Sequence, residues 1–164
     1  MLSRLSASLL ALLLLSACQQ YDFSVNDKVV YTPHPLFSDF AAADPALQQC
    51  IEKTIKDRKI TQMTQLKELS CRSAGIESLE GLAAFTALQE LDLSDNSIVD
   101  ISELAAIGSL SELYLTANQI LDPSPLTDLP ALDSLDLSAN KSLRCPNRQT
   151  LLRVGRLQLP RHCG

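Results

Sequence analysis

The fold is decided by LQELDLSDN (residues 88–96), LSELYLTAN (110–118) and LDSLDLSAN (132–140), three blocks that begin 22 residues apart. A fourth block, LKELSCRSA (66–74), precedes them at the same interval, with Ala74 where the others have asparagine. One unit of this length cannot bury its own apolar side, so a fixed period indicates a stack of coils. The sequence therefore predicts a solenoid of about four repeats over residues 66–143.

The blocks match the pattern L-x-x-L-x-L-x-x-N. In this pattern the chain resembles leucine-rich repeat proteins. Side chains alternate along a strand, so the leucines should point inward and the residues between them outward. Between blocks, Ile76, Leu79 and Leu82 recur every third position, which suits a 3₁₀ or extended back side. We expect an α/β solenoid: a short horseshoe with a parallel sheet on its concave face and a 3₁₀ or extended convex side.

A helical cap should precede the repeats, over residues 44–65. Asp44 is a helix N-cap residue, and Pro45 suits the first helical position, so a helix is predicted from Pro45 to about Asp57. The succession of helix and repeats over residues 44–143 resembles internalin-type bacterial proteins. The shared residues belong to the scaffold, so the adhesion roles of such proteins do not carry over.

The asparagine that ends each block is predicted to be structural. A side-chain amide can both donate to and accept from the backbone of neighbouring coils. We expect a buried ladder of Asn96, Asn118 and Asn140.

Four cysteines lie beyond residue 18, and three pairings are available to them. An even number favours disulfides when a chain is exported, as the leader described below predicts. Cys50 lies on the inward side of the predicted cap helix, and Cys71 takes a core position in the first strand. Cys145 and Cys163 both follow the last repeat. We predict the pairs 50–71 and 145–163, the second closing a C-terminal cap over residues 144–164.

Neither a redox pair nor a metal site is predicted at these cysteines. They show no C-x-x-C spacing and no nearby cluster of histidines. The chain has two histidines, His34 and His162, and the sequence gives neither of them a positioned partner.

The chain begins with a leader, MLSRLSASLLALLLLSAC, in which Arg4 precedes an apolar run. This pattern predicts a secretory signal over residues 1–17, too short for the roughly 20 residues of a membrane span. Leu15-Ser16-Ala17-Cys18 resembles the lipobox of bacterial lipoproteins, which implies that Cys18 carries acyl chains such as palmitate; an ordinary signal with a chance cysteine is the alternative. In such lipoproteins, aspartate directly after the acylated cysteine favours retention in the inner membrane. Gln19 takes that position here, which implies the outer membrane of a Gram-negative cell. The expected location is the cell envelope.

Residues 18–43 carry no repeat and are predicted to form a lipidated, extended tether. Five of the seven aromatic residues fall there, however: Tyr21, Phe23, Tyr31, Phe37 and Phe40. We expect this segment either to pack against the helical cap or to form a second contact for a partner.

Charge and motif content argue against two classes of function, nucleic-acid binding and catalysis. A net charge of −5 argues against a nucleic-acid partner, since phosphates require a basic surface. The sequence contains no nucleophile elbow, P-loop or H-E-x-x-H motif, so neither an enzyme nor a cofactor is predicted.

Binding is instead expected on the concave face. Asp92, Tyr114 and Asp136 should form one column, which could receive Lys or Arg by charge pairing and cation–π contact. Ser94 and Ser134 are also assigned outward positions. The predicted partner-binding residues are Glu68, Arg72, Glu90, Asp92, Glu112, Tyr114 and Asp136.

These positions predict a monomeric interaction module for a protein partner with a basic patch, held at the membrane by its lipid. Two alternatives remain. The polar residues can serve only to keep the sheet soluble, and the domain can be a structural envelope lipoprotein, or spacer, without a specific protein ligand.

Overall fold

A computed structural model describes residues 23–25, 28–31, 34–147, 151 and 153–164. The chain divides into two compact units, Met1–Pro35 and Leu36–Gly164. In the first unit, β1 (Phe23–Val25) and β2 (Lys28–Tyr31) pair antiparallel. This hairpin departs from the predicted extended tether. Its signal in the sequence is Asn26-Asp27, residue types that favour turns, between two short runs rich in strand formers.

The second unit begins before the predicted boundary at residue 44. The amide of Phe37 donates to the carbonyl of Ile60 at 2.9 Å, and the Phe40 ring meets Phe85 edge-on with 5.4 Å between centroids. Gly81 has φ 95°, and a Cβ there would lie 2.2 Å from the carbonyl oxygen of Ala41. Residues 36–43 therefore belong to the folded domain. The tether prediction is corrected for them, because the half-buried rings of Phe37 and Phe40 gain more by packing against the core than by remaining in water.

The helical cap forms as predicted, with α1 spanning Pro45–Arg58. Asp44 Oδ1 accepts from the amides of Ala46 and Leu47 at 2.8 and 3.2 Å. Its Oδ2 accepts from Glu77 and Ser78 at 2.8 and 3.1 Å. One carboxylate thus caps the helix and joins it to the first coil.

The repeats form a five-stranded parallel sheet, and the predicted fold class is confirmed. Each strand is three residues long, and 3₁₀ helices at Leu82–Ala84, Ser102–Ala106 and Ser124–Leu126 form the convex side. The strands are β3 (Glu68–Ser70), β4 (Glu90–Asp92), β5 (Glu112–Tyr114), β6 (Ser134–Asp136) and β7 (Arg156–Gln158).

β7 extends the sheet beyond the four repeats predicted. It pairs with β6 in parallel, with Leu157 opposite Leu135. Val154, Leu157 and Leu159 continue the 22-residue spacing, but the asparagine that would end the block is missing. The signal for a fifth strand was therefore present in the core positions alone.

The core is aliphatic, and leucines from every coil are almost fully buried, among them Leu69, Leu91, Leu113 and Leu135. Within the described residues, no helix is both long enough and apolar enough to cross a membrane.

The asparagine ladder runs beside this core. Asn118 accepts from the amide of Ile98 at 3.1 Å and donates to the carbonyls of Leu93 and Leu115 at 2.9 and 3.1 Å. Asn140 makes the three equivalent hydrogen bonds one coil later. Asn96 is only half-buried, because the Ala74-Gly75 turn over its carbonyl oxygen is itself exposed. The expectation of burial is corrected at that position.

Candidate partner-binding face

The concave face, meaning the outward side of β3–β7, presents two rows of side chains. The strand register fixes both rows, with neighbouring strands about 4.8 Å apart. The first row contains Glu68, Glu90, Glu112, Ser134 and Arg156. The second row contains Ser70, Asp92, Tyr114, Asp136 and Gln158.

Arginines offset the two outer glutamates of the first row. Arg58, at the end of α1, lies 3.1 Å from Glu68, and Arg156 lies 3.7 Å from Glu112. Both pairs are well exposed, so each contributes little to stability. Glu90, the glutamate between these two, has no ion pair among the described residues.

Tyr114 keeps its predicted place between Asp92 and Asp136, but its hydroxyl turns to the other row. It donates to the Glu112 carboxylate at 2.7 Å. This hydrogen bond to an anion, more than burial, raises the pKa of the Tyr114 phenol above its ordinary value. The ring is thereby held by a contact that the sequence did not indicate, and it is half-buried.

Asp92 and Asp136 each use one oxygen to shape the chain after the strand. Asp92 Oδ1 accepts from the amide of Ser94 at 2.9 Å, and Asp136 Oδ1 accepts from Ser138 at 2.8 Å. These contacts set the carboxylate direction and leave Oδ2 of each aspartate without a hydrogen bond among the described residues. Both carboxylates therefore act as oriented acceptors facing solvent.

Three further predicted positions differ in part from expectation. Arg72 lies beyond the end of β3 and pairs with Asp95 at 2.8 Å, so its charge is directed along the edge of the sheet. Ser94 and Ser134 are 3% and 8% exposed, which corrects the expectation that they present outward side chains, although Ser134 keeps its register position in the first row. The coils stack tightly enough there that a small side chain is covered by its neighbours.

The cysteines form disulfides between Cys50 and Cys71 and between Cys145 and Cys163, the pairing that the sequence favoured. Beside the second pair, His162 Nε2 lies 3.0 Å from the carbonyl oxygen of Leu143. The expectation that His162 lacks a positioned partner is corrected. No regular spacing in the sequence signals this contact, because the path of the chain through the C-terminal cap brings His162 and Leu143 together.

The predicted lipidation site, Cys18, lies outside the described residues, as does the whole of the predicted leader, residues 1–17.

The chain is similar to leucine-rich repeat proteins in both sequence and structure. The family model for leucine rich repeats (2 copies) matches residues 64–106. An internalin from Listeria monocytogenes has a TM-score of 0.60 at 25% identity, over 72% of this chain and 36% of the internalin. Internalin C2 from that organism has a TM-score of 0.59 at 23% identity, over 71% of this chain and 53% of its own. No curated protein sequence matches the chain significantly.

These findings define the class of fold: residues 64–106 match leucine-rich repeats, and the chain folds as a leucine-rich repeat solenoid similar to that of internalins. It spans about a third to a half of the length of the two internalins. Such a fold is that of a non-catalytic binding module, and solenoids of this kind use the concave sheet as the binding surface.

Proposed function

We propose that the chain is a lipid-anchored module of the bacterial cell envelope that binds a protein partner through the acidic concave face. One observation carries this proposal. Glu90, Asp92 and Asp136 are carboxylates at the middle of the sheet with no ion pair among the described residues, while the glutamates on either side of Glu90 are offset by arginines.

The surrounding geometry supports a partner with basic side chains. The half-buried Tyr114 ring lies between Asp92 and Asp136, with its hydroxyl engaged by Glu112. A Lys or Arg that enters this column meets a carboxylate on either side and an aromatic surface between them. The partner is therefore a protein with a basic patch, and charge complementarity mainly sets its specificity and rate of encounter. The chain binds it as a monomer.

The anchor in this proposal is the acylated Cys18, with Gln19 directing the chain to the outer membrane of a Gram-negative cell. More than one acyl chain is needed for stable attachment. Metabolic labelling with a palmitate analogue should mark the wild-type chain and not Cys18→Ala. In the same cells, Gln19→Asp should move the chain to the inner-membrane fraction. An unlabelled wild-type chain would remove the anchor from the proposal.

In-cell photo-crosslinking tests the binding surface. A photoreactive residue replaces Glu90 at the middle of the concave face or, as a matched control, Glu80, an exposed glutamate in the segment leading to the convex 3₁₀ helix Leu82–Ala84. A discrete adduct from position 90 and none from position 80 supports the proposal and identifies the partner by mass. If the folded, exported chain gives no adduct at position 90, or equal adducts at both, the sheet is a spacer surface.

A further inference from the structure

The C-terminal cap gathers two cysteines and a histidine. The sulfurs of Cys145 and Cys163 and a ring nitrogen of His162 all lie within 4.8 Å of one another. His162 is one of only two histidines in the chain, and the interaction face does not use it. Two sulfurs and an imidazole are the donor types that bind zinc in proteins.

We propose that the cap has two alternative closures: the Cys145–Cys163 disulfide, and a zinc ion bound by Cys145, His162 and Cys163 when that disulfide is reduced. A dithiol reductant gives up two electrons and two protons to the disulfide and becomes a disulfide itself. The two protein thiols then lose two protons as they bind Zn²⁺ as thiolates. Three protein ligands leave a fourth position for water.

His162 is oriented for this role by the backbone. A carbonyl oxygen can only accept, so Nε2 is the nitrogen that donates to Leu143 at 3.0 Å. In the neutral ring this places the proton on Nε2 and leaves the lone pair of Nδ1 for the metal. Histidine ligands commonly donate their second ring nitrogen to a carbonyl in this way, which fixes the ring and its tautomer.

Both arms of the site are anchored without the disulfide. On one arm, the amide of Arg144 donates to Leu121 at 2.8 Å. On the other, Leu137 donates to Gln158 in β7 at 2.9 Å, and Cys163 donates to Pro160 at 2.9 Å. Reduction therefore leaves the sulfurs close together. A tetrahedral zinc site with Zn–S bonds near 2.3 Å requires them about 3.8 Å apart, which side-chain rotation can supply.

The C-terminal disulfide is also the more accessible of the two. Cys145 is exposed and Cys163 half-buried, whereas Cys71 of the other pair is 2% exposed. Attack by a thiolate reductant depends on access to a sulfur. We therefore expect Cys145–Cys163 to be reduced first and the helical cap to stay closed.

Cobalt titration tests the site, with Co²⁺ as a spectroscopic probe and Zn²⁺ added afterwards to displace it. The full chain is reduced with dithiothreitol, freed of reductant without oxygen, and checked for folding by circular dichroism. We expect thiolate-to-cobalt charge-transfer absorbance that saturates at about one equivalent and disappears when Zn²⁺ is added. The oxidised chain should show none.

Matched variants localise the binding. His162→Ala should weaken binding at least tenfold, the lower end of the loss seen when even an outer-shell partner is removed. The other histidine supplies the control, His34→Ala, which should bind as the wild type does. The double variant Cys145→Ser/Cys163→Ser should lose the absorbance, since the Cys50–Cys71 disulfide stays closed and supplies no thiolate.

Four results would overturn the proposal: no saturable absorbance in the folded, reduced chain; equal binding by the oxidised chain; absorbance retained by the double cysteine variant; or equal affinities for His162→Ala and His34→Ala. If the double variant does not fold, the two histidine variants decide, because both side chains are exposed.

Discussion

Removal of the Asn118 side chain tests the energetic role of the asparagine ladder. Asn118→Ala removes the hydrogen-bond partner of the Ile98 amide. It also takes one donor from each of the Leu93 and Leu115 carbonyls, which keep a second donor from Asn96 and Asn140, respectively. Asn118 is 6% exposed, so water cannot simply replace the amide. The Ile98 amide left unsatisfied costs about 1–3 kcal/mol, each carbonyl that loses one of its two donors costs about 0.5–1.5 kcal/mol, and partial relaxation lowers the sum. We expect a loss of about 2–4 kcal/mol in the free energy of unfolding.

The ladder also predicts a ranking. Asn96 accepts from the amides of Ala74, Gly75 and Ile76. Because Asn96 is half-buried and the first two residues are exposed, water can enter its place once the side chain is gone. Asn96→Ala should therefore cost less, about 1–2 kcal/mol. Gln119→Ala, at an exposed position beside Asn118, is the control and should change stability by less than about 0.5 kcal/mol.

Urea unfolding of the oxidised chain, followed by circular dichroism, measures these differences from the midpoints at constant slope. The reasoning is refuted if Asn118→Ala lies within about 0.5 kcal/mol of the wild type, or if Asn96→Ala costs as much as Asn118→Ala.

Three further substitutions test the fold by the same assay. Ala117 has φ 54°, so Ala117→Gly should stabilise the chain by about 0.5–1 kcal/mol, whereas Ala105→Gly in the 3₁₀ helix should destabilise it; equal effects would contradict this. Phe40→Ala should cost about 2–4 kcal/mol through its lost contact with Phe85, and no loss would restore the tether reading. Burial acts to raise the pKa of Asp44, but hydrogen bonds from the amides of Glu77, Ser78, Leu47 and Ala46 outweigh it and lower that pKa. The stabilising effect of the ionised Asp44 carboxylate is therefore complete above the ordinary pKa of about 3.9 and is lost as the pH falls through the lower pKa of the folded state. Asp44→Asn should be less stable than the wild type at neutral pH and converge with it in acid, while Asp39→Asn should match the wild type throughout.

The fold was predictable because the core repeats. Leucines 22 residues apart fix the strands, and Asp44-Pro45 marks the start of the helix. A repeat pattern identifies only residues that recur at equivalent positions. It therefore did not predict the parts of the fold that depart from the repeat. The segment with Phe37 and Phe40 belongs to no repeat, and the coil of β7 has Val154 in place of the first leucine and His162 in place of the asparagine.

The concave face was predictable in its register and less so in its contacts. Strand alternation places Asp92, Tyr114 and Asp136 in one column. The hydrogen bond from Tyr114 to Glu112 joins residues two apart in the sequence and depends on a rotamer that no pattern specifies. The approach of His162 to Leu143 depends in the same way on the path of the chain through the C-terminal cap.

The central claim, that the acidic middle of the sheet binds a protein, is tested most directly by reversing its charges. The measurement is the yield of the in-cell adduct from a photoreactive residue at Ser70, an exposed position on the same face. One variant carries Glu90→Lys, Asp92→Lys and Asp136→Lys. Its control carries Glu77→Lys, Glu80→Lys and Asp128→Lys, an equal change of charge at exposed positions away from the sheet.

The account predicts that the first variant lowers the adduct yield at least about tenfold and that the control leaves it unchanged. Equal yields from the two variants, with both chains folded, would contradict it.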